Sequence, residues 1–448
     1  MEPSFSGLRH TICAVYARLL WATLIWFVAA TGADATDRHW TGTTNTTWGT
    51  TTNWDTAPPS GTTDNAVFDR TFTNPNQPNL GATTTAGGLW MTTVTGTVGQ
   101  NVTISGLTLT LQGNTINGTG ALGILVDNAN AFTLTINAPL TLGAAQTWRN
   151  NSGNLLTIGG AVSTGNKALT IDGTGNTTIS GVLSSGGALT KTGNGILTLS
   201  GANTYNAGTT LSAGTLNINS TTALGTGPLI INAGTIDNTT AGTITVTNNN
   251  AITLGGNFTF GGTRNLNLGT GAITNNNNRT ITLNGSNSTL TLGGVMTNGL
   301  GANQTTIVNG VGNTLSLGGY ALSNSATNRI DVINGTGNVN ITGVVANGST
   351  STAGALTYSG TGVLTLGGAN TFGGALTIQS GTLSIATINN ASTAGVLGNS
   401  ATPVTLGGSG TTGTLQYTGS TASSTKTFTM ATGGTGVFNV TNSATHSR

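Results

Sequence analysis

Two stretches of this chain are versions of one another. Gly187 to Asn219 reads GALTKTGNGILTLSGANTYNAGTTLSAGTLNIN, and Gly354 to Ala386 reads GALTYSGTGVLTLGGANTFGGALTIQSGTLSIA. They align over 33 positions without a gap, and more than half the positions are identical. A repeat of this length is one supersecondary unit that cannot bury its own apolar face, so it must stack on neighbours.

Short apolar alternations run through the rest of the chain. Leu107, Leu109 and Leu111 share one side of GLTLTLQGN, and Phe132, Leu134 and Ile136 share one side of FTLTIN. Ile281 and Leu283, Leu290 and Leu292, and Leu364 and Leu366 repeat the pattern. Period-2 alternation is the mark of a strand with one buried side. The opposite side is mostly Thr, whose β-branch suits a pleated surface. Gly-Asn and Asn-Gly pairs between the runs tolerate the positive φ of tight turns. Nothing from Gln100 to Arg448 has a helical period of useful length.

Strands of this length permit a sandwich, a barrel or a solenoid, and the repeat decides among them. The expected fold class is all-β: a right-handed parallel β-helix (β-solenoid) with a Trp-rich N-terminal cap. Apolar ladders lie inside and Asn ladders at the turns. At about 20 residues per coil, residues 100–448 make about 17 coils, a rod on the order of 80 Å long. The segment Gly187–Asn219 is expected to hold about three strands: ALTKT, ILTLS, and TTLSAGTLNIN with a glycine kink.

Residues 36–99 have a different texture. They carry Trp40, Trp48, Trp54 and Trp90, with Phe68, Phe72, Asp55, Asp64 and Asp69. Their rings are expected to seal the apolar end of the first coil, because one Trp covers far more apolar area than a Val.

Residues 1–35 read as a secretory signal. Arg9, His10 and Arg18 precede an apolar run, Leu19 to Ala30, and Ala33-Asp34-Ala35 offers a small-residue cleavage site. An uncleaved anchor is the alternative. The only cysteine, Cys13, precedes the apolar run, so no disulfide is expected in the exported part.

The segment Gly187–Asn219 resembles the autotransporter-associated β-strand repeat, also called the passenger-associated transport repeat. The residues that carry the likeness are Leu189-Thr190-Lys191, Gly193, Gly195, Leu197-Thr198-Leu199, Gly201, Asn203-Thr204-Tyr205, Gly208-Thr209-Thr210 and Gly214-Thr215-Leu216. The second copy keeps Gly360, Gly362, Leu364-Thr365-Leu366, Gly368, Asn370-Thr371-Phe372 and Gly381-Thr382-Leu383. It departs at Tyr358, where the first copy has Lys191, and at Ala375-Leu376, where the first has Gly208-Thr209. A similar continuation follows each copy: Ala223-Leu224-Gly225 and Val396-Leu397-Gly398. The resemblance implies a secreted or surface-displayed passenger region and does not imply an enzyme; the expected role is rod, spacer or adhesin, without enzyme activity or cofactor. It also implies partners: outer-membrane export machinery or a barrel, and cell-surface or glycan targets. Autotransporters of the usual kind end in a membrane β-barrel. The closing TGVFNVTNSATHSR lacks that pattern, so either the chain is a fragment or the rod is released or held by other means.

The inventory of reactive side chains is thin. Charged residues are 5% of the chain, against about a quarter in ordinary globular proteins, and the net charge of +2 is thinly spread. No basic patch points to nucleic acid. After residue 35 only His39 and His446 remain, with no Cys and no Glu. A Ser-His-Asp arrangement would need His39 to meet Asp55 or Asp64. A glycosidase or lyase would need two of Asp127, Asp172, Asp237 and Asp331 to converge between coils. No Gly-Gly pair leads into the Asp of a calcium nonapeptide, and GTGNTT at Gly173 lacks the Lys of a phosphate loop. No catalytic, cofactor-binding or metal-binding residue is therefore assigned. Ranks of Thr, as at Thr108/Thr110 and Thr133/Thr135, are candidates for an ice- or surface-binding face. Tyr205, Phe372, Tyr320, Tyr358 and Tyr417 are candidate platforms for sugars, although Tyr205 and Phe372 occupy equivalent repeat positions, which favours packing.

Overall fold

Alternating apolar and Thr positions make strands of three to five residues whose inward side chains are buried and outward ones half-exposed, as in Leu134–Ile136 and Leu140–Leu142. A computed structural model describes residues 35–72, 76–93, 99–127 and 132–441. The proposed signal and His446 lie outside these residues. From Ala35 onward the described chain is one compact unit.

The strands stack as a parallel β-solenoid. Among the described residues every pairing between named strands is parallel except the hairpin of Asn114–Ile116 with Thr119–Val126. No α-helix occurs there, only a single 3₁₀ turn at Thr51–Asn53. One coil runs through Val102–Gly106, Leu109–Leu111 and Thr119–Val126 before the next begins at Leu134–Ile136. Each of these three strands belongs to a separate face.

The face containing Val102–Gly106 is a continuous ladder of sixteen strands from Asn79–Leu80 to Phe428–Met430. We call it the continuous face; at 4.8 Å per strand it is about 75 Å long. The first face begins with Thr36–His39, Asp64–Phe68 and Gly88–Met91 and extends to Val345–Ala346. The Trp-rich region therefore contributes strands to the solenoid as well as rings to its end. The third face has five short strands from Thr84–Ala86 to Leu183–Ser184. It resumes at Ile244–Thr245 and runs to Thr435–Val440. Thr289–Asn298 crosses the corner between the third and first faces. Leu290 pairs with Leu266, Met296 pairs with Ile273, and the register shifts between Leu292 and Val295, where Gly293-Gly294 sits.

The interior is one apolar cluster from Trp40 to Leu415. Each buried Leu or Ile contributes about 1.5–3 kcal/mol, and much of that contact is with the coils above and below. Outside it, Asn side chains tie coil to coil. The Oδ1 atoms of Asn257, Asn278, Asn303 and Asn328 accept from the backbone N–H of Thr280, Thr305, Ile330 and Ala353, at 2.8 to 3.1 Å. Each such bond satisfies an N–H just before or at the start of the next strand on the continuous face, where the ladder does not yet reach.

The first repeat holds four strands rather than three. TTLSAGTLNIN divides into Thr209–Leu211 and Thr215–Ile218, on different faces, with Gly214 at φ +70° in the turn between them.

Candidate functional site

The residues that sequence reasoning singled out for chemistry do not converge. His39 donates its backbone N–H to Asp55 Oδ1 at 3.1 Å, but its ring pairs with Asp69, which the sequence did not nominate. His39 Nδ1 lies 2.8 Å from Asp69 Oδ2, and Arg70 Nε donates to Asp69 Oδ1 at 2.7 Å. Asp64 faces Arg38 instead, at 3.5 Å. Burial works against the Asp69 charge, but the bonds from His39 and Arg70 overcome it and hold its pKa down to about 2. The same hydrogen bond raises the His39 pKa. With a carboxylate on one side and a guanidinium beyond it, this is an ion-pair network tying the first strand to residues 69–70.

The four later carboxylates stay apart. Asp127 accepts from Thr92, Asp172 pairs with Arg149 at 2.8 Å, and Asp237 accepts from the Thr263 hydroxyl at 2.6 Å. Asp331 is fully buried, accepting from Asn298 Nδ2 at 2.6 Å and from Ser323; burial raises its pKa against those bonds. In the ladders Asp172 lies beside Arg149, Asp237 beside Asn217, and Asp331 between Gln304 and Leu356. Among the described residues no three His, Cys, Asp or Glu side chains gather at a metal-binding distance.

Four of the aromatic candidates for sugar stacking are corrected by burial. Tyr205, Phe372, Tyr320 and Tyr358 are at most 1% exposed. Tyr417 is partly buried, its hydroxyl bonded to Ser420 O. Thr135 does join a column of outward threonines, Thr103, Thr135, Thr157, Thr178 and Thr198, on five successive coils. Asn217 takes the next place and donates to Thr198 Oγ1.

What recurs in three dimensions is the corner built by Asn-Thr-Tyr/Phe. No strand forms there. Asn203 and Asn370 are buried and replace the missing ladder with their side-chain amides. Asn203 Oδ1 accepts from Leu183 N–H in the coil before, at 2.8 Å, and its Nδ2 donates to Ala223 O in the coil after, at 2.7 Å. Asn370 does the same with Val345 N–H at 2.7 Å and Val396 O at 2.9 Å. The aromatic that follows fills the corner interior. The glycine of the continuation covers it: a Cβ on Gly398 would stand 2.5 Å from the Phe372 ring, and one on Gly225 would stand 2.2 Å from Tyr205 O. Both glycines have positive φ, so Leu-Gly after each copy is required twice over.

The two copies lie on different faces. In the first, Leu189–Lys191 is on the first face, Ile196–Leu199 on the continuous face, and the Asn corner on the third. In the second, Ala355–Tyr358 is on the continuous face, Val363–Leu366 on the third, and the corner on the first. The repeat is thus rotated by one face between copies, and it carries its own corner with it.

Lys191 is the one charged side chain in the repeat. It is 1% exposed, and its Nζ donates to Gly193 O at 2.8 Å and to Thr192 O. Burial pushes its pKa down to about 8, with Asp172 opposing. Below that pH the charge is held in the interior at a cost, which disappears as pH rises toward the ordinary lysine value. Lys191→Met removes that charge but also the donor to Thr192 O and Gly193 O, so its expected signature is in the pH dependence: its stability relative to the parent falls by about 2 kcal/mol between pH 7 and pH 10.5. Urea unfolding at the two pH values measures this. A difference between the two proteins that does not change with pH would refute it.

No curated protein matches the chain, and no solved structure does. The family model of the passenger-associated-transport-repeat matches residues 189–218 and 356–385, the two segments whose Asn corners and glycine-covered aromatics have just been described.

Proposed function

We propose that this is a non-catalytic, exported, autotransporter passenger-like protein, a β-solenoid rod displayed at the cell surface as a spacer or adhesin. The observation that carries the reading is the pair of passenger-associated transport repeats built into one continuous parallel solenoid. The dispersed carboxylates and the His39 ion-pair network support a structural role over catalysis. The proposed signal at residues 1–35 supports export, and an outer-membrane barrel or export apparatus is the partner this reading requires.

The test is to express the chain with its own leader, tagged in the exposed loop at Gly242, in a bacterium with an outer membrane, alone and with the export apparatus of its native host. Tag labelling and protease removal on intact cells are expected when the apparatus is supplied. Retention inside the cell under both conditions would refute surface display.

A further inference from the structure

We infer that the continuous face carries a binding groove for a neutral polysaccharide across the strands Thr235–Asp237, Phe258–Phe260 and Arg279–Leu283. This deepens the adhesin reading and rests on it for biological context. The groove is shallow and open to solvent, with a volume of about 450 Å³. It is lined by Thr235, Thr259 and Thr282 in one column and Asn257 and Thr280 in the next, with Gly234 and Phe258 completing it. Among the described residues the hydroxyls of Thr235, Thr259, Thr280 and Thr282 have no protein partner, so they are free to bond a ligand. Asn257 uses Oδ1 to hold Thr280 N–H, which fixes the side chain and leaves its Nδ2 donor for the groove.

Three features select the ligand class. Each strand is paired on both edges, so a peptide cannot add as a further strand. The charges nearby are engaged within the protein. Arg279 donates to Leu254 O, Gly255 O and Asn278 O, Arg264 donates to Ala241 O and Thr263 O, and Asp237 accepts from Thr263 and Asn238. None of these charged residues is among those that line the groove, so no ion pair with a ligand is built into it. What remains is a lattice of hydroxyl and amide groups repeating about every 4.8 Å, with threonine methyls between them. A neutral sugar chain presents the complementary pattern of hydroxyls and C–H faces.

The test is native affinity electrophoresis of the purified protein in gels containing dextran, mannan, xylan or, as the anionic comparison, polygalacturonate. Retardation by at least one neutral polymer, insensitive to salt, is expected. Thr259→Val with Thr282→Val removes two hydroxyls while keeping the β-branched shape, and should weaken that retardation about tenfold. Thr157→Val, on the same face far from the groove, should leave it unchanged. No retardation by a neutral polymer, retardation by the anionic polymer alone, or equal retardation of the double variant would overturn the inference. A thermal melt checks that the variants fold. Labelling on intact cells is independent of sugar binding, so a groove that fails leaves the displayed rod standing, and a rod that stays inside the cell leaves the groove result interpretable.

Discussion

Asn370→Ala is expected to destabilise the second repeat by about 4 kcal/mol. The carboxamide joins three coils: Oδ1 accepts the Val345 N–H at 2.7 Å and Nδ2 donates to Val396 O at 2.9 Å, all within the buried corner. Truncation strands one donor and one acceptor, and each buried orphan costs about 1–3 kcal/mol. The backbone bonds at this corner (Thr371 N–H to Val345 O, Asn399 N–H to Phe372 O, and the reciprocal pair between Asn370 and Gly395) are already made and engage neither the Val345 N–H nor the Val396 O. A rod of stacked coils also opens locally, and a global midpoint averages such an effect over the rod. Native-state amide exchange reports the effect where it arises: the Val345 amide should lose its protection. Asn203→Ala should do the same to Leu183, on a different face. Asn370→Asp keeps the acceptor but buries a charge and loses the donation to Val396, so it should retain part of the Val345 protection yet remain destabilised. An unchanged Val345 exchange rate in Asn370→Ala would show that the amide is not the staple.

The strands and their parallel stacking were legible because they rest on local information. Leu134-Thr135-Ile136 shows its buried side in three residues, and two 33-residue segments that align without a gap leave little but a solenoid. Asn at the turns was legible for the same reason. The phase of the rod was not. The Asn203 bonds span 20 residues in each direction, while those of Asn370 span 25 and 26. The difference arises partly because residues between the second copy and its Val-Leu-Gly continuation form an added loop. Asn389 holds that loop by accepting from Leu397 N–H and donating to Gly398 O. When coil length drifts, the face on which a given residue lands depends on every insertion before it, and no local window contains that sum.

The chemistry was harder still to read. Tyr320 and Tyr358 look like exposed ring platforms in sequence, since Tyr is amphipathic, but they fill the interior where a Leu would leave a void. Lys191 takes the inward place that Tyr358 holds in the other copy, a burial that a lysine does not announce in sequence. His39 was matched with Asp55 and Asp64 because all three lie in one region. The parallel pairing of Thr36–His39 with Asp64–Phe68 instead carries the His39 side chain beside Asp69. The groove threonines carried no mark that set them apart from a score of others. What sets them apart is the open pocket they line together with Asn257 and Phe258, a property of how the coils stack rather than of composition.

Trp48→Ala is expected to cost about 3–5 kcal/mol and to act at one end of the rod. The end coil of a solenoid has no neighbour to complete its core, so it must supply its own apolar cover. Trp48 is the centre of that cover. Its ring lies 4.8 Å from Trp54 edge-on, 6.4 Å from Trp40 and 6.4 Å from Phe68, and all four are buried. Removing it leaves a cavity that the β-strands beneath cannot collapse into, because Val67 and Phe68 are pinned in register by the Gly88–Met91 strand. Exchange protection should therefore fall first in Thr36–His39 and Asp64–Phe68 and remain in coils far along the rod. Trp148→Ala, at a fully buried site inside the stack, should instead loosen coils on both sides. The indole nitrogens separate ring area from polarity. Trp48 Nε1 is buried with no partner, whereas Trp54 Nε1 donates to Trp48 O at 2.7 Å. Trp48→Phe should consequently cost less than Trp54→Phe, since the first replacement removes an unmet donor and the second strands an acceptor. The reverse order in matched denaturation experiments would mean that the Trp48 donor is satisfied in solution. Unchanged exchange in Trp48→Ala would mean that the first coil does not depend on its aromatic cover.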